Sequence, residues 1–430
     1  MEHVTTKLNL LSASDAAAGV AAGKVTSVAL VQACLDRIVA READIGAWAF
    51  IEGAPALEQA RARDKESPRG PLHGVPVGIK DIFDTCDMPT KYGSAIYKRY
   101  RPEADAAAVA LLRDAGAVIL GKTVTAEFAL GRPGRTVNPH NRAHTPGGSS
   151  SGSAAAVADG MVPLALGTQT LGSVIRPAAY CGVVGYKPTH GTISRAGIKP
   201  LSDELDTVGV FARSIADAAL LAGVLGDRPL PDFTNGAGVS PRIGLCRTPL
   251  WSGADGTTRA ALEEALPRLA AKGARVSEVA LPTVCDSLAG AATVICDYDA
   301  YRSLSFERLT GAEHLSPELT ERLAKAAAIE RPTYEAALTL AATCRRMVDG
   351  LFRDVDVLLT PAAVGEAPKG LTGTGDPFAN KLWTVLHVPA VTIPVFTGPT
   401  GLPIGAQIVG PRNGDGRMLV AAEWIRRALS

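Results

Sequence analysis

A dominant charge is the first thing this sequence lacks. Its 44 Lys and Arg are balanced by 43 Asp and Glu, a formal net charge of +1, and no long run of one sign occurs. That argues against nucleic acid or an anionic membrane surface as the main partner. Long apolar runs are missing too: nothing approaches the ~18 uninterrupted apolar residues that a bilayer-spanning helix needs. The opening "MEHVTTKLNLLSASDAAAG" has no basic region followed by an apolar one, so it does not read as a secretory signal. Cysteines are few and unorganised. Seven of them (Cys34, Cys86, Cys181, Cys246, Cys285, Cys296, Cys344) are scattered with no C-x-x-C spacing. Reduced thiols in a cytoplasmic protein account for that pattern better than a disulfide framework or a zinc site. Aromatics make up only 5% of the chain, yet 47% is hydrophobic, so the core is Ala-, Val- and Leu-rich. A length of 430 residues allows two or three domains, but a large α/β fold accommodates it as one.

What is present alternates between helical and strand-like patterning. Ser27 to Glu42 places apolar residues at helical spacing, and "HGVPVGIKD" (His73 to Asp81) reads as a short buried strand. Asp105 to Lys122 reads as helix, Gly116 stop, then strand. "SAAAVADG" reads as a helix ending at Gly160, and Val162 to Thr170 as a strand. Further on come "RIGLCR" (strand), "TTRAALEEALPRLAAKG" (helix), "DVDVLLTP", "PAVTIPV" and "PIGAQIV" (strands), and a closing helix from about Met418. This order predicts an α/β fold: one large layered domain over 1–430, with a mixed central sheet covered by helices on both faces. Within it we expect a helical N-terminal segment (about 10–65) and a catalytic core (about 66–230). A mostly helical section follows (about 282–349), then C-terminal strands and a helix (about 350–430).

Several motif matches fail on context. "GAVILGKT" (Gly116 to Thr123) satisfies the phosphate-loop spacing. That loop must follow a strand, whereas here the intervening Ala-Val-Ile-Leu are themselves the strand. His140 and His144 stand four apart, but Pro139, Asn141 and Pro146 make the stretch a turn-rich loop rather than a helix face. No H-E-x-x-H occurs, so no catalytic metal has nameable ligands, and the seven His residues offer no obvious partner for a serine.

"TPGGSSSGSAAAV" (Thr145 to Val157) brings four serines into a glycine-flanked bend, a backbone suited to close approach. A serine-rich loop without histidine needs another base. Lys80, at the end of an apolar run, has two readings. It can snorkel to water and pair with Asp81 or Asp84. Alternatively it is desolvated, which lowers its pKa and frees a neutral amine as a general base, as in Ser-Lys catalysis. Ser173, between a strand-like run and "VIRPAAY", reads as a helix N-cap, the commoner role for such a serine taken alone, or as a nucleophile in a tight turn whose N–H groups face outward.

Together "GPLHGVPVGIKDIFDT", "NPHNRAHTPGGSSSGSAAAVADGMVPLALGTQTLGSVIRPAAYCGVVGYKPT", "LDTVGVFARS" and "VPAVTIPVFTGPTGLPIGAQIVG" resemble the blocks of the amidase signature family. The resemblance covers roughly residues 10–425 and is weakest from about 230 to 350. "GTQT" and "SVIRPAAYCG" look most like malonamidase and related hydrolases of small amides. The resemblance implies that Lys80 is the base and Ser149 the bridging serine, which in the family sits at a cis peptide bond. It implies that Ser173 is the acyl-enzyme nucleophile. Backbone N–H groups of Thr170, Leu171, Gly172 and Ser173 would hold the oxyanion, with no metal or cofactor.

Leu171 departs from the family, which usually has glycine there; a turn needing positive φ would strain it. Arg176, three residues after Ser173, returns to the same face of a helical turn. It either pairs with a core carboxylate such as Asp206 or receives a substrate carboxylate as a bidentate fork. Tyr298, Tyr301 and Trp383 are candidates to line the acyl pocket or to pack in the core. The expected activity is hydrolysis of a small amide, and family membership is compatible with a homodimer. One alternative is the A subunit of a glutamyl-tRNA amidotransferase, which needs partner subunits; "LDTVG" (Leu205 to Gly209) lacks the Gln associated with that protein. Another is an amidase-fold protein whose site Leu171 has closed.

Overall fold

Short apolar runs bounded by Gly and Pro become strands of a single sheet in the structure, a computed structural model that describes residues 7–229, 231, 233 and 240–430. The strands are β1 (Trp48–Ile51), β2 (Pro76–Lys80), β3 (Val118–Thr123), β4 (Leu164–Gln169), β5 (Val184–Lys187) and β6 (Thr207–Ala212). They continue with β7 (Arg242–Cys246), β8 (Arg275–Val279), β9 (Val357–Pro361), β10 (Ala390–Thr397) and β11 (Pro403–Val409). Their order across the sheet is β1-β3-β2-β4-β6-β5-β10-β11-β9-β7-β8. Two parallel groups, β3-β2-β4 and β9-β7-β8, are joined by the antiparallel run from β4 to β9. The sheet is mixed, as expected.

Side-chain alternation shows that both faces are covered. On β3, Ile119 packs with Val109, Leu112 and Leu221, while Val118 and Leu120 pack with Val31, Cys34 and Ala155 from other helices. β2 is buried along its whole length, which is why its sequence is continuously apolar up to Lys80. The section expected to be helical holds helices Leu288–Ser303, Ser305–Thr310, Pro317–Ala326 and Arg331–Val348.

Some expectations shift. The closing helix runs Asp415–Leu429, three residues before Met418. Its first turn is anchored by the buried Asp415 carboxylate, which accepts from Tyr186 and Thr189 rather than from any apolar contact. The sequence pattern does not announce β1, β5, β6 or β8 as strands; β8 is half-exposed and mixes charge with apolar residues. Part of the N-terminal stretch tested for a secretory signal lies outside the described residues, as does the end of the 66–230 segment.

The phosphate-loop lysine and the two histidines make structural hydrogen bonds in the fold. Lys122 of "GAVILGKT" lies inside β3, buried, donating to the Phe83 carbonyl at 2.8 Å and Thr90 Oγ1 at 2.6 Å beside Asp81. His140 Nε2 meets the Cys181 carbonyl and His144 Nδ1 the Ala367 carbonyl, so the two rings serve different loops.

Candidate active site

The sheet brings two strand ends together. β2 and β4 are parallel neighbours, and both finish at the same edge, β2 at Lys80 and β4 near Thr168. Lys80 is fully buried and does not snorkel. Its Nζ lies 2.8 Å from Ser149 Oγ and 2.8 Å from Thr168 Oγ1. Burial brings its pKa down from 10.5 to about 7, and the Asp206 charge pulls weakly the other way.

The serine loop sorts itself by hydrogen bonding. Ser150 Oγ donates to the Thr168 carbonyl, Ser151 Oγ to that of Val124 and Ser153 Oγ to that of Leu166. These three fasten helix Ser151–Ala158 to the sheet. Ser149 alone of the four turns to Lys80, following a cis Gly148–Ser149 peptide. The run Gly148 to Gly152 also satisfies the G-x-S-x-G spacing around Ser150, but that hydroxyl is occupied by Thr168. Gly147, at φ +78°, admits no side chain: a Cβ would stand 2.8 Å from Pro177 Cα.

After β4 the chain turns through Thr170, Leu171 and Gly172 to Ser173, then enters helix Ile175–Cys181. Gln169 fixes this turn. Its Oε1 accepts from the N–H groups of Val174 and Ile175, and its Nε2 donates to Thr384 Oγ1, which in turn donates to the Leu171 carbonyl. Among the described residues nothing accepts from the N–H groups of Thr170, Leu171, Gly172 or Ser173. Leu171 does not adopt positive φ, so the strain foreseen for it is absent. Gly172 is required for a different reason: a Cβ there would lie 2.6 Å from Asn380 Oδ1. The Ser173 hydroxyl has no partner among the described residues and is not sealed from solvent. No hydrogen bond joins it to Ser149 in this state.

Arg176 does not pair with Asp206. Its Nη2 donates to the Gly148 carbonyl at 2.7 Å and to Thr374 Oγ1 at 3.1 Å, while Nε and Nη1 are buried without a partner. Burial lowers its pKa to about 10. Asp206 instead accepts from Thr170 Oγ1 at 2.6 Å and from the N–H groups of Leu201 and Ser202. A cavity of about 110 Å³ opens beside these groups, lined by Thr168, Thr170, Asp206, Leu201, Arg195 and Lys199 among others. Tyr298, Tyr301 and Trp383 do not line it. Tyr298 stacks on Tyr334, Tyr301 lies under Arg308, and Trp383 is fully buried in the second core cluster.

Thr168, Gln169 and Thr384 carry no residue-level site signal in the sequence, and Asp206 stands out there only as a partner for Arg176. The first two stand in the "GTQT" stretch, but nothing local says that one would meet Lys80 and the other cap the next helix.

Comparison with known proteins agrees with this geometry. The amidase family profile matches residues 29–419. The A subunit of the glutamyl-tRNA(Gln) amidotransferase from Geobacter sp. (strain M21) is 35% identical over 94% of this chain and 94% of its own length. A crystal structure described as an amidase superposes with a TM-score of 0.89 at 32% identity, over 98% of this chain and 100% of that one. The native peptide amidase from Stenotrophomonas maltophilia gives a TM-score of 0.83 at 31% identity, over 97% and 96%. These findings support the broad resemblance and not the narrower likeness to malonamidase.

Proposed function

The chain belongs to the amidase family, and on that premise we propose that it cleaves the C–N bond of a small amide through an acyl-enzyme on Ser173. The observation that carries this reading is the fully buried Lys80 amine held 2.8 Å from the one loop serine that no carbonyl claims. A neutral amine has two N–H donors and one lone pair. One N–H to Thr168 Oγ1 leaves the lone pair to accept the Ser149 proton. As Ser173 Oγ attacks the carbonyl carbon, its proton passes to Ser149 Oγ and the Ser149 proton to Lys80 Nζ. The unclaimed N–H groups of Thr170 to Ser173 suit the oxyanion, because preorganised donors in a dry site need no rearrangement. The relay then returns a proton to the leaving nitrogen, and ammonia or an amine departs. Water hydrolyses the acyl-serine.

Arg176 supports a substrate carrying a carboxylate near the amide. A guanidinium with two buried, unpartnered N–H edges is incomplete, and a carboxylate completes it as a bidentate fork. Occupancy requires the exposed stretch around Thr374 to make room.

A second reading is favoured by the near full-length similarity to the A subunits of amidotransferases. In it the same relay frees ammonia from an amide donor for use by an assembled enzyme. Ammonia release by the isolated chain, from a panel of small neutral and carboxylate-bearing amides including glutamine, separates the two. Robust turnover alone establishes the hydrolase. Silence alone, with glutamine turnover appearing only alongside partner chains, establishes the amidotransferase component. A chain that a fluorophosphonate probe fails to label at Ser173 is neither.

A further inference from the structure

We infer that Asp206 is a positioning residue of the reaction: its carboxylate holds Thr170, the first residue of the turn before Ser173, and supplies the negative charge that faces Lys80. This rests on the lysine-base reading above. Every partner of the carboxylate is a donor, namely Thr170 Oγ1 on Oδ1 and the N–H groups of Leu201 and Ser202 on Oδ2. No Lys or Arg among the described residues forms an ion pair with it. A buried carboxylate left without a cation is costly, so its retention calls for a compensating role.

The geometry supplies one. Thr168 touches Lys80, and Thr170, two residues on, touches Asp206; all three of Thr168, Thr170 and Asp206 line the same small cavity. When ionised, Asp206 favours the Lys80 ammonium; burial pushes its own carboxyl up, and the donors of Thr170, Leu201 and Ser202 pull it back down. When the relay delivers the Ser149 proton to Nζ, a cation forms at a fully buried position. The Asp206 anion, two threonines away along the same cavity wall, favours that cation without neutralising the resting amine, because among the described residues no ion pair joins the two.

The other groups around Asp206 do not compete for this role. Lys199 is held by Glu307, and Arg195 reaches the Ser202 carbonyl and the exposed Asp203. Asp299 accepts from the Ser202 hydroxyl, and burial pushes the Cys296 thiol up to about 12.

The test is the pH profile of kcat/KM for Asp206→Asn. Asparagine preserves the shape: its oxygen accepts from Leu201 and Ser202, and its NH₂ donates to the Thr170 hydroxyl. Losing the charge should move the acid limb to lower pH by about one unit or more, since at an effective dielectric of about 20 a unit charge contributes about that at roughly 12 Å and more when closer. kcat should fall at least ten-fold. Thr170→Val keeps the charge and removes the tether, so kcat should fall with the limb unmoved, and Thr170→Ser should restore it. An Asp206→Asn enzyme with its limb in the wild-type place overturns the inference. If that variant does not fold, the Thr170 pair decides, since full kcat in Thr170→Val overturns it equally. Failure of the lysine-base reading looks different: the wild type would then show no acid limb near neutrality at all.

Discussion

Lys80 and Ser149 are 69 residues apart in sequence and meet at 2.8 Å inside the protein, and among the described residues no carboxylate hydrogen-bonds to either. A lysine in such a place is held by hydroxyls and by burial, not by an ion pair. Its behaviour with pH follows from that.

Activity should rise with pH through about 7, where Lys80 deprotonates, and level off above it. The sign is fixed by the chemistry, since only the neutral amine accepts the relay proton. Among the described residues no histidine hydrogen-bonds to Lys80 or Ser149, so none adds its own limb. A kcat/KM profile flat from pH 5 to 9 would remove Lys80 from the mechanism.

Ser173→Ala should abolish turnover, while Ser149→Ala and Lys80→Ala should each lose about 10²–10⁴-fold, the usual worth of general-base assistance. The losses should not add, because the three groups act as one relay. Single and double variants assayed on one amide check this. Multiplying losses would mean that the residues act independently.

Stability should carry the same signature. The folded pKa of Lys80 lies below its unfolded value of about 10.5, so burying it destabilises the fold most below about pH 7. That cost declines as pH rises from about 7 toward 10.5, above which both states hold the neutral amine. Lys80→Met, similar in volume, should therefore stabilise the fold. The advantage should be greatest below pH 7 and shrink toward pH 10, with a ceiling of roughly 4–5 kcal/mol at about 1.4 kcal/mol per pKa unit. Denaturant melts of both proteins at pH 6 and 10 measure it. Equal differences at the two pH values would show that Lys80 titrates normally.

Much of this site was legible in the sequence, and its gaps have a common cause. Lys80 stood out because a charge ending a fully apolar strand is rare, and Ser149 and Ser173 because the surrounding blocks are long and ordered. The sheet order could not be read, since β10, besides its hairpin with β11, pairs with β5 from a distant part of the chain. Asp206 suggested itself as a partner for Arg176 because both are core charges. Its actual bonds go to Thr170 and to two backbone N–H groups, and short-range hydrogen bonds of this kind leave no periodicity. Gln169 is hidden in the sequence for the same reason.

Gln169 provides a further check. Gln169→Leu would leave the buried N–H groups of Val174 and Ile175 without an acceptor and would free Thr384. A cost of about 1–3 kcal/mol for each unsatisfied donor is expected. Catalysis should fall further than stability predicts, because the turn carrying Ser173 loses its fixing point. Thermal melts alongside kcat settle it. A variant that is less stable yet fully active would confine Gln169 to the fold.

Arg176 tests the substrate class. Its guanidinium already holds the Gly148 carbonyl through Nη2, next to the Gly148–Ser149 peptide, so it has a structural task whatever else it does. A lysine can take over that one bond but offers no second, parallel edge. If the unpartnered Nε and Nη1 receive a substrate carboxylate, Arg176→Lys should raise KM for carboxylate-bearing amides by about ten-fold or more, as a lost charge-assisted hydrogen bond of roughly 1.5–3 kcal/mol implies. KM for neutral amides of the same size should change little, and kcat for both should be nearly preserved. A parallel loss on both substrate types would mean that Arg176 serves only to hold the Gly148 carbonyl. The carboxylate-bearing class would then lose its support, and the chemistry at Ser173 would stand unchanged.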